Sequence, residues 1–146
     1  MTFSDFFDSL GDLEWLAILA GTVAMFIVGW LWYGPLFGKR WAAGNGVTNP
    51  GGQMPGTSVL VKGFVQTLLI NVGIAYFIPA LHIVFQNEPS IETLIVSSFV
   101  LSFFVIGAAF YGSVVYLKRS TTVWAIDTGY YFVGIAAAAF VQDLVA

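Results

Sequence analysis

Asp127 is the residue on which any chemistry in this chain has to turn. It is the one acid inside a stretch otherwise uncharged from Arg119 to Asp143. A carboxylate at the centre of a lipid-buried helix costs about 2.5 to 3.5 kcal/mol, so it must face other helices and find a partner. Tyr131, Gly134, Ala138 and Gln142 share its face, because side chains three or four apart lie on one helical stripe. An internal match suggests the partner. Val72-Gly73-Ile74-Ala75 pairs with Val133-Gly134-Ile135-Ala136, and the same offset carries Gln66 onto Asp127, with Lys62 one turn before Gln66. The expectation is an intramembrane polar cluster of Lys62, Gln66 and Asp127, with the lysine amine paired to the carboxylate. Such a pair is first of all a structural tie, or an acid favoured by the positive end of its helix; the sharper alternative is a proton relay.

Other chemistry is thin. His82 is the only histidine and stands near one end of its apolar stretch, where an imidazole ordinarily serves as a polar tip at the headgroups. The chain has no cysteine, which removes thiolate zinc sites, iron-sulfur clusters, disulfides and cysteine nucleophiles. No metal site is expected. Serines occur without a base at their depth, so the nucleophile, base and orienting group of an enzyme are not assembled and no enzymatic activity is expected. No cofactor is required by any motif, although 14 Phe, 6 Tyr and 5 Trp leave room for a pigment or lipid tails.

The elements that must hold Asp127 are membrane helices. Uncharged runs of 24, 25 and 25 residues lie between Glu14 and Lys39, Lys62 and Glu88, and Glu92 and Lys118, and a fourth of 23 holds only Asp127. At about 1.5 Å per residue each can cross a core of about 30 Å. Hydrophobic residues make up 58% and charged ones 9%, with a mean hydropathy of +0.86; a soluble domain needs about 25% charged residues. The fold class is therefore an all-α membrane protein with four transmembrane helices, at about 15–37, 59–81, 92–117 and 121–142, in a single membrane domain over 1–146.

Charge sorting sets the orientation. Lys39, Arg40, Lys62, Lys118 and Arg119 flank the turns after the first and third spans, while Asp5, Asp8, Asp12, Glu14, Glu88, Glu92 and Asp143 fall at the other ends. By the positive-inside rule the basic turns are cytoplasmic and both termini outside. An odd span count would split the basic residues across both faces. No nucleic-acid surface is present. Acids precede the first stretch, which is longer than a leader's apolar region, so it is read as a retained span.

Residues 2–13 place Phe3, Phe6, Phe7, Leu10 and Leu13 opposite Asp5, Asp8, Ser9 and Asp12, the pattern of a short amphipathic interfacial helix. Residues 39–58 read as a cytoplasmic Gly/Pro-rich loop, with Gly44, Gly46, Pro50, Gly51, Gly52, Pro55 and Gly56 breaking helical structure. Pro35 is expected to end or kink the first span.

Phe26-Ile27-Val28-Gly29, then Trp32-Tyr33-Gly34, aligns without gaps to Phe104-Val105-Ile106-Gly107, then Phe110-Tyr111-Gly112, each followed by a Lys-Arg pair. With the second match this suggests two tandem parallel helical hairpins about a pseudo-two-fold axis along the membrane normal. Gly107, Gly112, Gly134 and Ala138 are expected to pack helices closely, as small residues do in lipid. The stripes Gly63, Thr67, Asn71, Ala75 and Ser98, Ser102, Ala109, Ser113 should serve the same purpose.

The run Gly29-Trp30-Leu31-Trp32-Tyr33-Gly34-Pro35-Leu36-Phe37-Gly38-Lys39-Arg40-Trp41 resembles the opening signature of the bacterial domain of unknown function 1761 family, small four-span membrane proteins. Gly29, Trp32, Tyr33, Pro35, Gly38 and Trp41 carry it, and Asp127, Gly129, Tyr130 and Tyr131 resemble that family's last span. Gly34 stands where serine is common there, and the glycine-rich loop also departs from the pattern. The resemblance implies the fold and a bacterial inner membrane location, and no chemistry. The functional expectation is an accessory or structural subunit embedded among membrane lipids, packing against other membrane protein subunits or as a homo-oligomer. The alternative is a small solute or proton carrier using Asp127.

Overall fold

The computed structural model describes residues 2–47, 56–86 and 90–146. Pro50, Gly51, Gly52, Pro55 and Glu88, which entered the expectations above, lie outside the described residues. Four helices are long and apolar enough to cross a membrane, Trp15–Leu36, Thr57–Phe85, Ile91–Leu117 and Thr121–Val145, and no strand occurs among the described residues. The second runs well past the expected 59–81. Its 29 residues amount to about 44 Å, longer than a bilayer core, so it tilts or protrudes.

Start and stop signals are local. Thr2 and Asp5 form a reciprocal capping box at the head of a helix over Phe3–Ser9, satisfying two orphan donors at once. A single 3₁₀ turn, Leu10–Asp12, follows. This segment is tied down: Ser9 Oγ lies 2.7 Å from Tyr76 Oη, and the Phe6 ring sits 5.4 Å from that of Tyr76. It thus anchors the start of the first span to the second. Ser90 and Ser120 cap the third and fourth spans through Thr93 N and Val123 N. Between those spans Lys118 takes a left-handed φ of 57°, which lets a three-residue connection reverse the chain.

The fourth span is the hub. The first packs along it closely, and the second and third lean on it from different sides with at most a marginal approach to each other. Met25, Ile74, Ile135 and Ala138, all 2% exposed or less, form the core where first, second and fourth spans meet. Close approach depends on missing side chains. A Cβ on Gly134 would sit 3.1 Å from Met25 Cγ, and one on Gly107 would sit 2.7 Å from Thr128 Cγ2. Gly112 differs from its expected packing role: the nearest atom to its virtual Cβ is Tyr116 Cδ2 of its own helix at 3.9 Å, so no neighbouring helix exploits its size.

Two π-helical turns re-aim the ladder. Leu101–Gly107 in the third span inserts one residue into the helical register, which brings Gly107, five after Ser102, into the buried line begun by Leu94 and Ser98. Ala109 of the expected small stripe is exposed in consequence. The other, Trp32–Leu36, contains Pro35. Proline lacks an N–H and clashes with the preceding turn, and the ladder answers with Phe37 N donating to Trp32 O at 2.8 Å. The chain then enters a helix over Gly38–Gly44, where a loop from 39 was expected; Ala42 and the Trp41 side chain on that helix pack back on the bundle.

Candidate functional site

The π turn and the helix after it carry three aromatic donors that reach the fourth span. Trp32 and Tyr33 continue the inward stripe of Ile18, Met25 and Gly29 at regular helical spacing, and past the π turn at Trp32–Leu36 the Gly38–Gly44 segment folds Trp41 back beside them. Gly38 has no room for a side chain, because a Cβ there would collide with the Tyr33 carbonyl. Tyr33 Oη donates to Asp127 Oδ1 at 2.7 Å and Trp41 Nε1 donates to the same oxygen at 3.0 Å. Their rings meet edge to face, with centroids 5.6 Å apart. Trp32 Nε1 donates to the Ile126 carbonyl at 2.9 Å, and its indole lies over Gly129, where a Cβ would come within 2.9 Å of Cζ2. Gly29 accommodates Tyr130 in the same way, at 3.3 Å from Cε2. The two stretches with family resemblance, about ninety residues apart, are thus one interlocked structure around a carboxylate.

Lys62, Gln66 and Asp127 are not brought together as expected. Gln66 Nε2 donates to Tyr131 Oη at 2.9 Å, so it joins the stripe of Asp127 one turn further along. Lys62 is exposed, and the donors on Asp127 Oδ1 are the phenol and the indole. The physical reason is depth and reach. Aromatic N–H and O–H groups stand at the height of the carboxylate, whereas a lysine near the end of a span gains more by extending its ammonium to water. An acceptor-only group inside a span needs donors of its own depth, and two residues of the first-span motif, Tyr33 and Trp41, supply them. That was the signal available for finding the Tyr33 and Trp41 contacts.

Asp127 Oδ2 receives no donor among the described residues. Asp127 borders a cavity of about 260 Å³ at the basic end, walled by Tyr33, Phe110, Trp124 and Tyr131, with Arg119 also lining it. Ser113 and Ser120 add hydroxyls. Higher in the bundle the polar groups are closed on each other. Gln142 Nε2 donates to Asn71 Oδ1 at 2.7 Å and to its carbonyl at 3.1 Å, while Asn71 Nδ2 donates to Thr67 O at 2.9 Å. At the acidic end His82 Nε2 stands 3.9 Å from Asp143 Oδ1. No group of three or more His, Cys, Asp or Glu positioned for a metal occurs among the described residues. Outside the spans, the Asp5 carboxyl is held below its usual value by hydrogen bonding to Thr2.

A family model described as protein of unknown function (DUF1761) matches residues 16–142. No curated protein and no solved structure matches the chain.

Proposed function

The chain belongs to the DUF1761 family of proteins of unknown function, and from that premise we propose that it is a non-enzymatic membrane subunit that packs against another membrane protein. One observation carries this reading: the bundle is open between its second and third spans. Both lean on the fourth without closing on each other, and the buried Tyr131 of the fourth is touched by Gln66 from the second span and by Phe110 from the third. Gln66 remains exposed there. An amide facing hydrocarbon is costly, and a neighbouring helix that completes its hydrogen bonds removes that cost. The proposed setting is a bacterial cytoplasmic membrane, with the basic turns inside and both termini outside, as the charge distribution favours.

Digitonin extraction followed by native electrophoresis tests the proposal. A stable assembly larger than the single chain, weakened by Gln66→Leu, is expected; migration only as a free small protein refutes it.

The cavity reaching Asp127 favours a second reading, a small solute or proton carrier. Against it stands the sealed middle of the bundle, where Met25, Ile135 and Ala138 exclude solvent between Asp127 and the Asn71–Gln142 pair. Reconstituted Asp127→Asn protein that moves solute or protons as the wild type does eliminates this alternative.

A further inference from the structure

The geometry points to the cavity beside Asp127 as a binding site for a small zwitterion that enters ammonium first. The chemistry of the walls selects the cation. Tyr33, Phe110, Trp124 and Tyr131 surround a carboxylate, and aromatic faces attract ammonium groups most strongly where water is displaced. Asp127 Oδ1 is already occupied by Tyr33 and Trp41. Oδ2 has no protein donor among the described residues, so the carboxylate is held fixed by one oxygen and offers the other. Its orientation is fixed before any ligand arrives, which lowers the ordering cost of binding.

The other end of the cavity selects against a simple cation. Arg119 lines it from the short connection between the third and fourth spans and is itself exposed. A lone ammonium passing a guanidinium is repelled; one that carries its own anionic group is not. That group is received by Arg119 beside the first turn of the fourth span, whose N–H groups and dipole favour negative charge. Arg119 and Asp127 are eight residues apart, about 12 Å along the axis, and the arginine stem shortens the gap. A volume of about 260 Å³ lies below the range of about 300 to 1,000 Å³ usual for drug-sized ligands, which suits an amino acid or betaine and excludes a nucleotide.

The order of charges also separates a free solute from a lipid. An aminophospholipid presents its phosphate toward the membrane core and its ammonium toward water. This site has its carboxylate deep and its guanidinium at the water, so a lipid headgroup would enter inverted. The ligand class is therefore a water-soluble ammonium zwitterion, and the site needs neither a partner subunit nor transport.

Isothermal titration of the intact protein in a maltoside detergent, which carries no competing charges, tests this with glycine betaine and γ-aminobutyrate. Acetate and tetramethylammonium serve as the two halves. At least one zwitterion should bind, and both halves should bind at least about tenfold more weakly. Asp127→Asn should weaken the zwitterion about tenfold to a hundredfold, with unchanged helical circular dichroism because the amide oxygen still accepts from Tyr33 and Trp41. Arg119→Gln, at the exposed mouth, should reduce zwitterion affinity to that of tetramethylammonium and leave tetramethylammonium no weaker. Neither zwitterion binding, equal binding of a half, or indifference to both substitutions overturns the proposal. So does retention of phosphatidylethanolamine in native mass spectra with no competition by either free zwitterion.

Discussion

Removing the Tyr33 hydroxyl should uncouple the first-span motif from the fourth helix, and the size of that effect can be bounded. The bond from Tyr33 Oη to Asp127 Oδ1 is 2.7 Å, in the range of strong hydrogen bonds to a charged acceptor, which contribute about 1.5 to 3 kcal/mol in soluble proteins. Inside membranes, double-mutant cycles average about 0.6 and reach about 1.7 kcal/mol, because the unfolded chain also finds partners. Asp127 is only partly buried and keeps Trp41 as a second donor, so the membrane range applies. A cycle of Tyr33→Phe with Asp127→Ala, followed by unfolding in mixed micelles titrated with sodium dodecyl sulfate, should give a coupling of about 0.6 to 1.7 kcal/mol. The matching cycle of Lys62→Met with Asp127→Ala should give none, since Lys62 is exposed and the carboxylate is held from elsewhere. Coupling below about 0.3 kcal/mol for Tyr33, within the additivity error of such cycles, together with coupling for Lys62, would refute the assignment of donors.

Three further outcomes follow from the packing. Gly21→Ala places a Cβ 2.5 Å from Asn71 Oδ1 and 2.9 Å from Gln142 Nε2, so it should destabilise the bundle by about 1 to 3 kcal/mol, read by the same detergent titration; an unchanged midpoint contradicts the Asn71–Gln142 contact. Thr128→Val should be neutral or stabilising, because Thr128 Oγ1 is buried without a hydrogen-bond partner among the described residues and a methyl of similar shape removes that cost. A clear loss of stability would mean that the hydroxyl is bonded. The Asp5 carboxyl is held below its ordinary value by Thr2, so its contribution is present above the unfolded value and is lost as pH falls through the lowered one. The protection factors of the Phe3–Ser9 amides, with the intrinsic pH dependence of exchange divided out, should therefore fall on acidification, and Asp5→Asn should abolish that fall.

Much of the architecture was legible because membrane helices advertise themselves. Charge-free runs long enough to span, bounded by Lys, Arg, Asp and Glu, leave little choice of element or order, and Pro35 marked the end of the first span for a reason that holds in the structure. Smaller features were hidden. Nothing in the periodicity of residues 91–117 announces that the register slips at Leu101–Gly107, and the expected Ser98, Ser102, Ala109, Ser113 stripe assumed a regular ladder. The Gly38–Gly44 helix was obscured by its glycines and by its place beside the proline.

At the site, sequence reasoning identified Asp127 as the acid that needs a partner but paired it by formal charge with Lys62. Tyr33 and Trp41 count in the sequence only as signature residues, since an indole or phenol near a basic cluster ordinarily marks the interface and not a site. What distinguishes them is donor geometry, which only the fold supplies. The repeat alignment likewise sets Gln66 in one cluster with Asp127, whereas in the structure Gln66 bonds Tyr131, one turn further along the same stripe.

The most direct test of the motif-to-carboxylate contact is a dipolar recoupling measurement in lipid bilayers, with indole nitrogens labelled ¹⁵N and aspartate carboxyl carbons labelled ¹³C. The other described indoles of the set with assigned bonds donate to backbone carbonyls, of Leu10, Ile126 and Gly107, and Trp41 donates to the Asp127 side chain. Strong dephasing of one aspartate carboxyl signal, lost in both Trp41→Phe and Asp127→Asn, is expected. An Asp127 signal that no indole dephases, or one dephased instead by lysine ¹⁵Nζ, would contradict it.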